Sequence, residues 1–122
     1  MAVKCERYNL EINQGADLRF AFRVKGVDQL PEDLTGRTFK GQIRASYDEA
    51  DALADFVITP RNQLTNKGEV DVHLANTALP QAILKLSGRA LYVYDIEMIY
   101  VTGDIVKVLK GDAEVFPEAT LS

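Results

Sequence analysis

Enzymatic chemistry needs reactive side chains that converge, and this chain offers few candidates. Its single histidine, His73, lies two residues after Asp71 in an alternating stretch. On a strand, residues two apart share a face. The pair could therefore act as a general base and its orienting carboxylate, the core of a small hydrolase. The spacing sets no nucleophile beside them, and a solvated strand face is the simpler explanation. Asp48, Glu49, Asp51 and Asp55 form the one acidic concentration. A calcium loop needs dense oxygen ligands, a glycine for the sharp turn and a distal glutamate, whereas here Ala50, Ala52, Leu53 and Ala54 interrupt. Cys5 would be a nucleophile only with a base near it in space, and as the one cysteine it can form no intrachain disulfide. No Gly-x-Gly-x-x-Gly, Walker or Gly-x-Ser-x-Gly pattern occurs. No Cys/His spacing suits zinc. The sequence thus predicts no catalytic residue, no cofactor and no metal site.

The elements that would have to position such groups are strands. Apolar residues recur at period two, the pattern of half-buried strands. Tyr8 to Asn13 puts Leu10 and Ile12 on one face. Asp17 to Lys25 puts Leu18, Phe20, Phe22 and Val24 on one face and Arg19, Ala21 and Arg23 on the other. A one-residue slip there would bury arginines, so its register is firmly set. Thr38 to Ala45 carries Phe39, Gly41, Ile43 and Ala45 in phase, with Gly41 marking a bulge or a close backbone approach. Asp55 to Thr59 reads as one strand stopped by Pro60, and Glu69 to Ala75 as another with Val70, Val72 and Leu74 inward. Asn76 to Leu86 predicts a short helix, with a cap at Asn76 or Thr77, Pro80 in its first turn and Leu79, Ile83 and Leu86 in one stripe. Ala90 to Val101 and Ile105 to Phe116 form a long hairpin around Thr102-Gly103-Asp104. In its second strand Leu109, Gly111, Ala113 and Val115 are in phase, and Pro117 to Ser122 is a tail.

About seven strands with turns between them and one short helix predict an all-β fold, an immunoglobulin-like antiparallel β-sandwich in one domain over residues 1–122. At 122 residues such a domain needs no staple. Hydrophobic residues make up 47% and charged residues 26%, an ordinary globular balance. The net charge of −4 disfavours nucleic acid, whose phosphates demand clustered Lys and Arg. No stretch is long and apolar enough for a signal-peptide core or a membrane span. These readings predict a soluble chain made in a reducing cytoplasm, without membrane insertion.

Two features point beyond a generic sandwich. Tyr92, Tyr94 and Tyr100 share one face of the long strand, and on an open sheet they could stack against sugars, as in a carbohydrate-binding module contacting host glycans. Packing within the domain is the competing role, since aromatic residues are enriched in strands. The second feature is the hairpin end. Met98, Tyr100 and Val101, with Ile105 across the turn, place apolar groups on both faces where a free tip would be polar. Exposed apolar patches mark partner contacts, so these four residues are the candidate protein interface.

The order of several short pieces resembles a known family. Tyr8-Asn9-Leu10-Glu11-Ile12-Asn13-Gln14-Gly15-Ala16 opens the chain, followed by the phenylalanine strand from Leu18 to Val24. Asp33-Leu34-Thr35-Gly36 leads into Phe39-Lys40-Gly41-Gln42-Ile43-Arg44. Leu91-Tyr92-Val93-Tyr94-Asp95-Ile96-Glu97 and a close from Leu109 to Thr120 complete the set. In this order the pieces resemble small phage tail proteins related to the N-terminal immunoglobulin-like domain of upper baseplate proteins. That resemblance implies a structural virion protein of a tailed bacteriophage, a tail-tip, baseplate or collar subunit that joins the tail to fibres. Its implied partners are distal tail, baseplate hub or fibre proteins and further copies of itself in a ring. The family carries no catalytic residues to transfer.

Overall fold

The computed structural model describes residues 3–79 and 90–116. The described chain forms nine strands: β1 (Glu6–Arg7), β2 (Leu10–Asn13), β3 (Leu18–Arg23), β4 (Thr38–Arg44), β5 (Ala54–Asp55), β6 (Val57–Pro60), β7 (Glu69–Leu74), β8 (Ala90–Ile99) and β9 (Ile105–Phe116). They make two sheets. One has the order β3-β7-β6, and the other runs β9-β8-β4-β5 with β1 and β2 end to end along the free edge of β9.

Period-two patterning decides which face each strand buries. Along β7, Val70, Val72 and Leu74 are buried and Asp71 is exposed. Along β8 the row Tyr94, Ile96 and Met98 is buried. Ile43 from β4, Leu10 and Ile12 from β2, and Leu109, Ala113 and Val115 from β9 complete the core between the sheets. Each fully buried Val, Leu, Ile or Met contributes about 1.5–3 kcal/mol relative to exposure. Phe20 and Phe22 point inward as their phase predicts, but they are only half-buried, because β3 is an edge strand.

Gly41 faces this core at a close approach. A Cβ there would lie 2.9 Å from Ile58 Cδ1 and 3.1 Å from Phe56 Cδ2. The ladder between β8 and β9 slips between Ile96 and Glu97, where Leu109 and Lys107 are the successive partners, so Val108 is an extra residue. That bulge changes the phase of β9, and Val108 and Leu109 are both buried.

Several expectations need correction. The sandwich is mixed rather than purely antiparallel, since β1 and β2 run parallel to β9. Val3 bridges Gly26, and the Lys4 N–H donates to Lys25 O at 2.8 Å, so the chain starts against the end of β3 and then crosses to the other sheet. The single strand expected over Asp55 to Thr59 is two strands in different sheets. β5 pairs with β4 and β6 with β7. Phe56 makes the switch: its N–H donates to Gly41 O at 2.9 Å, and its ring meets Tyr94 edge-on at 5.8 Å. Ala45 lies beyond the end of β4 and is exposed. Most of the helix expected over Asn76 to Leu86 falls outside the described residues. Its first residues form a turn, with the Ala78 N–H donating to Ala75 O at 3.0 Å, and no helix occurs among the described residues. The tail from Pro117 also lies outside them.

Candidate functional site

The groups with chemical potential are held apart. His73 and Asp71 share the outer face of β7, but each has another partner. Arg61, at the end of β6, grips Asp71 through Nε at 2.9 Å and Nη2 at 2.7 Å. This pairing holds the Asp71 carboxyl below its ordinary range and raises the Arg61 guanidinium. His73 Nε2 lies 3.4 Å from Asp17 Oδ1 instead, and Asp17 also accepts the Asn76 N–H at 2.7 Å. The backbone bond from Asn76, reinforced by His73, lowers the Asp17 pKa. The alternative of a His73–Asp71 dyad does not form, since each residue has a different partner. The carboxylate facing His73 comes from the loop between β2 and β3, which sequence spacing could not reveal.

Asp55 of the acidic stretch accepts a bond from Gln42 Nε2 at 2.9 Å, and among the described residues no three His, Cys, Asp or Glu side chains gather as a metal site. Cys5 is exposed, yet protein atoms around its sulfur push the thiol pKa up, against the pull of Lys110 and Lys107. The tyrosines form no stacking platform. Tyr94 is buried, with its hydroxyl donating to the Tyr8 carbonyl and its pKa raised by burial. Tyr92 and Tyr100 pack partly against the core.

The hairpin end divides into buried and exposed parts. Met98 has 0% exposure and belongs to the core, so it is removed from the candidate interface. Tyr100 is half-buried beneath Arg37, whose guanidinium carbon lies 4.6 Å from the ring centre. Arg37 Nη1 reaches Glu32 at 3.3 Å and the Met98 sulfur at 3.7 Å. Glu32 and Arg37 are both largely buried. Removing one partner of such a pair strands the other charge, and Arg37, so held, ties the loop between β3 and β4 to the hairpin through Tyr100 and Met98. The tip is closed by the Tyr100 N–H to Asp104 O and the Gly103 N–H to Tyr100 O, both 2.9 Å, with Gly103 at φ 94°. Val101 and Ile105 stay outside, at 81% and 58% exposure.

They have neighbours that the sequence reading missed. The β3–β4 loop, the β6–β7 loop and the β8–β9 turn lie at the same end of the sandwich. Gln63 Oε1 joins the first two by accepting the Leu34 N–H at 3.0 Å and the Gly68 N–H at 2.8 Å. A Cβ on Gly36 would lie 3.1 Å from Val101 Cγ2, which brings in the turn. From these loops Val27, Leu30 and Leu64 are exposed at 66%, 62% and 96%. Five large apolar side chains therefore share one end: Val27, Leu30, Leu64, Val101 and Ile105. Loop residues have no periodicity to betray an outward apolar group, so nothing in the pattern singled these three out. The arrangement can bury apolar surface against another protein. No protein-family model and no curated protein sequence matches the chain.

Proposed function

We propose that this chain is a non-catalytic structural subunit of a tailed bacteriophage, a tail-tip, baseplate or collar protein with an immunoglobulin-like fold that joins the tail to fibres or to neighbouring tail proteins. The strand order supports the fold assignment. An immunoglobulin sandwich pairs strands B, E and D in one sheet and G, F and C in the other, with C′ added in variable-type domains. Here β3-β7-β6 takes the place of B-E-D, and β9-β8-β4-β5 that of G-F-C-C′. The ordered sequence pieces from Tyr8 to Thr120 support the tail assignment. Such a subunit is made in the host cytoplasm and resides in the virion tail, in several copies around the tail axis. Its partners are copies of itself and distal tail, hub or fibre proteins, with no nucleic acid or membrane among them.

The observation that carries the reading is the apolar end formed by Val27, Leu30, Leu64, Val101 and Ile105. Assembly by shape and apolar contact needs that surface and no reaction. The test combines light scattering of the purified chain with electron microscopy of particles carrying a tagged copy. Multimers, and density at the tail, are expected. Val101→Glu with Ile105→Lys should leave the domain folded and abolish incorporation. A tagged chain missing from every particle, or normal incorporation of the double variant, refutes the proposal.

A further inference from the structure

We infer that the free edge of β3 is a two-fold interface, at which β3 of a second copy pairs antiparallel about Phe20. β3 pairs on one side only, with β7. The Val24 N–H donates to Gly68 O at 2.7 Å, and Phe22 opposes Val70 and Phe20 opposes Val72. Antiparallel ladders bond at alternate residues. The main-chain groups of Phe20 and Phe22 therefore face β7, and those of Arg19, Ala21 and Arg23 face outward. No described residue bonds to those outward groups, and all three residues are exposed. The other edges are blunted. β6 turns Ile58 and Pro60 outward, and proline has no N–H to offer. β5 is two residues long, and the row formed by β1 and β2 is broken at Tyr8 and Asn9.

The chain itself limits what can lie along β3. At one end Val3 and Lys4 already occupy the row, antiparallel to Gly26 and Lys25. At the other, Gly15 turns the chain away at φ 80°. The open stretch therefore runs from Asp17 to Val24. Its outward groups sit at odd-numbered positions, so a second β3 must set odd residues opposite odd ones. About Arg19, the two Arg19 side chains oppose each other. About Ala21, Arg19 opposes Arg23 at both ends, and Asp17 of the other copy falls opposite Lys25, where Lys4 lies. About Phe22, Arg19 of the other copy falls there. About Leu18, Ala21 falls opposite the Gly15 turn and the ladder is cut short. About Phe20, Asp17 opposes Arg23 and Arg19 opposes Ala21, each repeated by the two-fold, and the whole open stretch is paired. Opposite charges in directly opposed positions stabilise a ladder and like charges destabilise it. Of these registers, the one about Phe20 alone clears Lys4, opposes no like charges and fills the edge.

Both faces match in that register. On the outer face Arg19, Arg23 and Arg61 are balanced by Asp17, Glu69 and Asp71, so two copies bring no net charge together. Asp17 accepts the Asn76 N–H and meets His73 through Oδ1, which leaves Oδ2 for Arg23 of the other copy. Arg23 holds Glu69 through Nη2 and keeps further donors of its fork. The two Arg19 side chains fall on a diagonal, about 7–8 Å apart at the backbone, and small Ala21 leaves them room to turn to solvent. On the inner face Leu18 opposes Phe22, and Phe20 opposes Phe20. Phe20 and Phe22 are only half-buried in one copy, and Tyr8, with its ring 5.9 Å from that of Phe20, is half exposed. The other copy completes the burial that the edge position denies them. Of the charges along this groove, Glu6 and Arg7 are held by Lys4 and Asp112, and Lys25 lies beyond the paired stretch. A foreign strand would have to reproduce this length, charge order and apolar row, all of which β3 supplies to itself. A two-fold contact closes at two copies and uses nothing from the apolar end, so it goes beyond the tail reading.

The test is sedimentation equilibrium of the whole chain over a concentration series, in the Val101→Glu, Ile105→Lys background that silences the apolar end. A dimer that dissociates on dilution is expected. Ala21→Pro removes an outward N–H without touching the β7 ladder, and should raise the dimer Kd about tenfold or more with the circular dichroism spectrum unchanged. Asp17→Arg and Arg23→Glu should each raise it about fivefold or more, because each sets like charges opposite one another at both ends of the ladder. Mixed in equal amounts, those two variants should pair with each other at close to the original affinity, since the mixed dimer has opposite charges at both ends. A chain that stays monomeric up to about 1 mM refutes the inference, as does a folded Ala21→Pro that dimerises unchanged. Tighter dimers of Arg23→Glu would place the contact in the register about Ala21 and overturn the one argued. A mixture no tighter than either variant alone refutes a second copy in this register, and decides the matter by itself if the proline variant does not fold. None of the β3 variants touches the apolar end, so failure here leaves the tail proposal standing, and normal incorporation of the Val101→Glu, Ile105→Lys variant refutes that proposal without bearing on β3.

Discussion

Gly111→Ala tests how the first strands are fastened to β9. Gly111 sits in mid-strand, opposite Tyr94 in the ladder, and its φ is outside the left-handed region. Space, not backbone conformation, demands the glycine. An added Cβ would overlap the Tyr8 carbonyl oxygen and lie 2.8 Å from its carbon and 3.0 Å from Asn9 Oδ1. These atoms are firmly held. The Tyr8 N–H donates to Lys110 O at 2.9 Å, the Tyr94 hydroxyl donates to Tyr8 O, and Asn9 Oδ1 accepts the Asp112 N–H at 3.0 Å. Making room requires a backbone shift of about 1 Å, and overpacking of this kind costs about 1–3 kcal/mol. Losing two of the three bonds adds about 1 kcal/mol each, while the stiffer unfolded chain returns about 0.4–1 kcal/mol.

The net destabilisation is about 2–4 kcal/mol, a large part of the roughly 5–15 kcal/mol of a typical domain. The melting temperature should fall by about 10–20 °C. The chain has no tryptophan, so urea unfolding is followed by circular dichroism. Tyr94→Phe removes the hydroxyl bond alone and should cost about 1 kcal/mol. Combined with Gly111→Ala its effect should be less than additive, because both changes remove the same bond. A Gly111→Ala chain within about 1 kcal/mol of wild type, or strict additivity in the double variant, refutes the fastening argument.

Three further outcomes follow from the same geometry. Gly41→Ala should cost only about 1–2 kcal/mol by urea unfolding, because its Cβ meets side-chain atoms of Ile58, Ile96 and Phe56 rather than backbone. Arg61→Gln should change the acid limb of the stability curve. Arg61 lowers the folded pKa of Asp71 below 3.8, so the pair stabilises above pH 3.8, and that stabilisation fades as pH falls through the lower folded value. The difference between wild type and variant should be present at neutral pH, shrink below pH 3.8, and be matched by a rise of the Asp71 carboxyl pKa toward 3.8 in an NMR titration. Cys5 should alkylate several-fold more slowly at pH 8 than a free thiol, since burial raises its pKa, and His73→Ala should leave that rate unchanged.

The inward rows were legible in the sequence wherever alternation was uninterrupted. Leu10 and Ile12, the Val70–Leu74 row and the Tyr94–Met98 row all face the core as their phase predicts. Legibility ended where the chain changed sheet or phase. Phe56 carries the chain from one sheet to the other inside what looks like one short strand, and the extra Val108 resets the phase of β9. Charge partners were hidden for a related reason. Arg61 and Asp71 are ten residues apart in the chain and adjacent across the β6–β7 pair, while His73 meets Asp17 from 56 residues away. Met98 read as part of the exposed tip because period two names a face without saying which face is covered. Val27, Leu30 and Leu64 carried no periodic signal, and only the fold brings their loops to the end of the sandwich where Val101 lies.

Salt tests the force that the apolar end can offer. Contact through Val27, Leu30, Leu64, Val101 and Ile105 removes apolar area from water, which excluded salts such as sulfate strengthen. Ion pairs between exposed groups act the opposite way, because their charges are screened within about 8 Å at physiological ionic strength and about 3 Å at 1 M. A subunit held by its apolar end should therefore assemble as well or better in sulfate, as read by light scattering. Multimers that dissolve as salt rises would place the contact on charged groups instead and refute the role given to the apolar end.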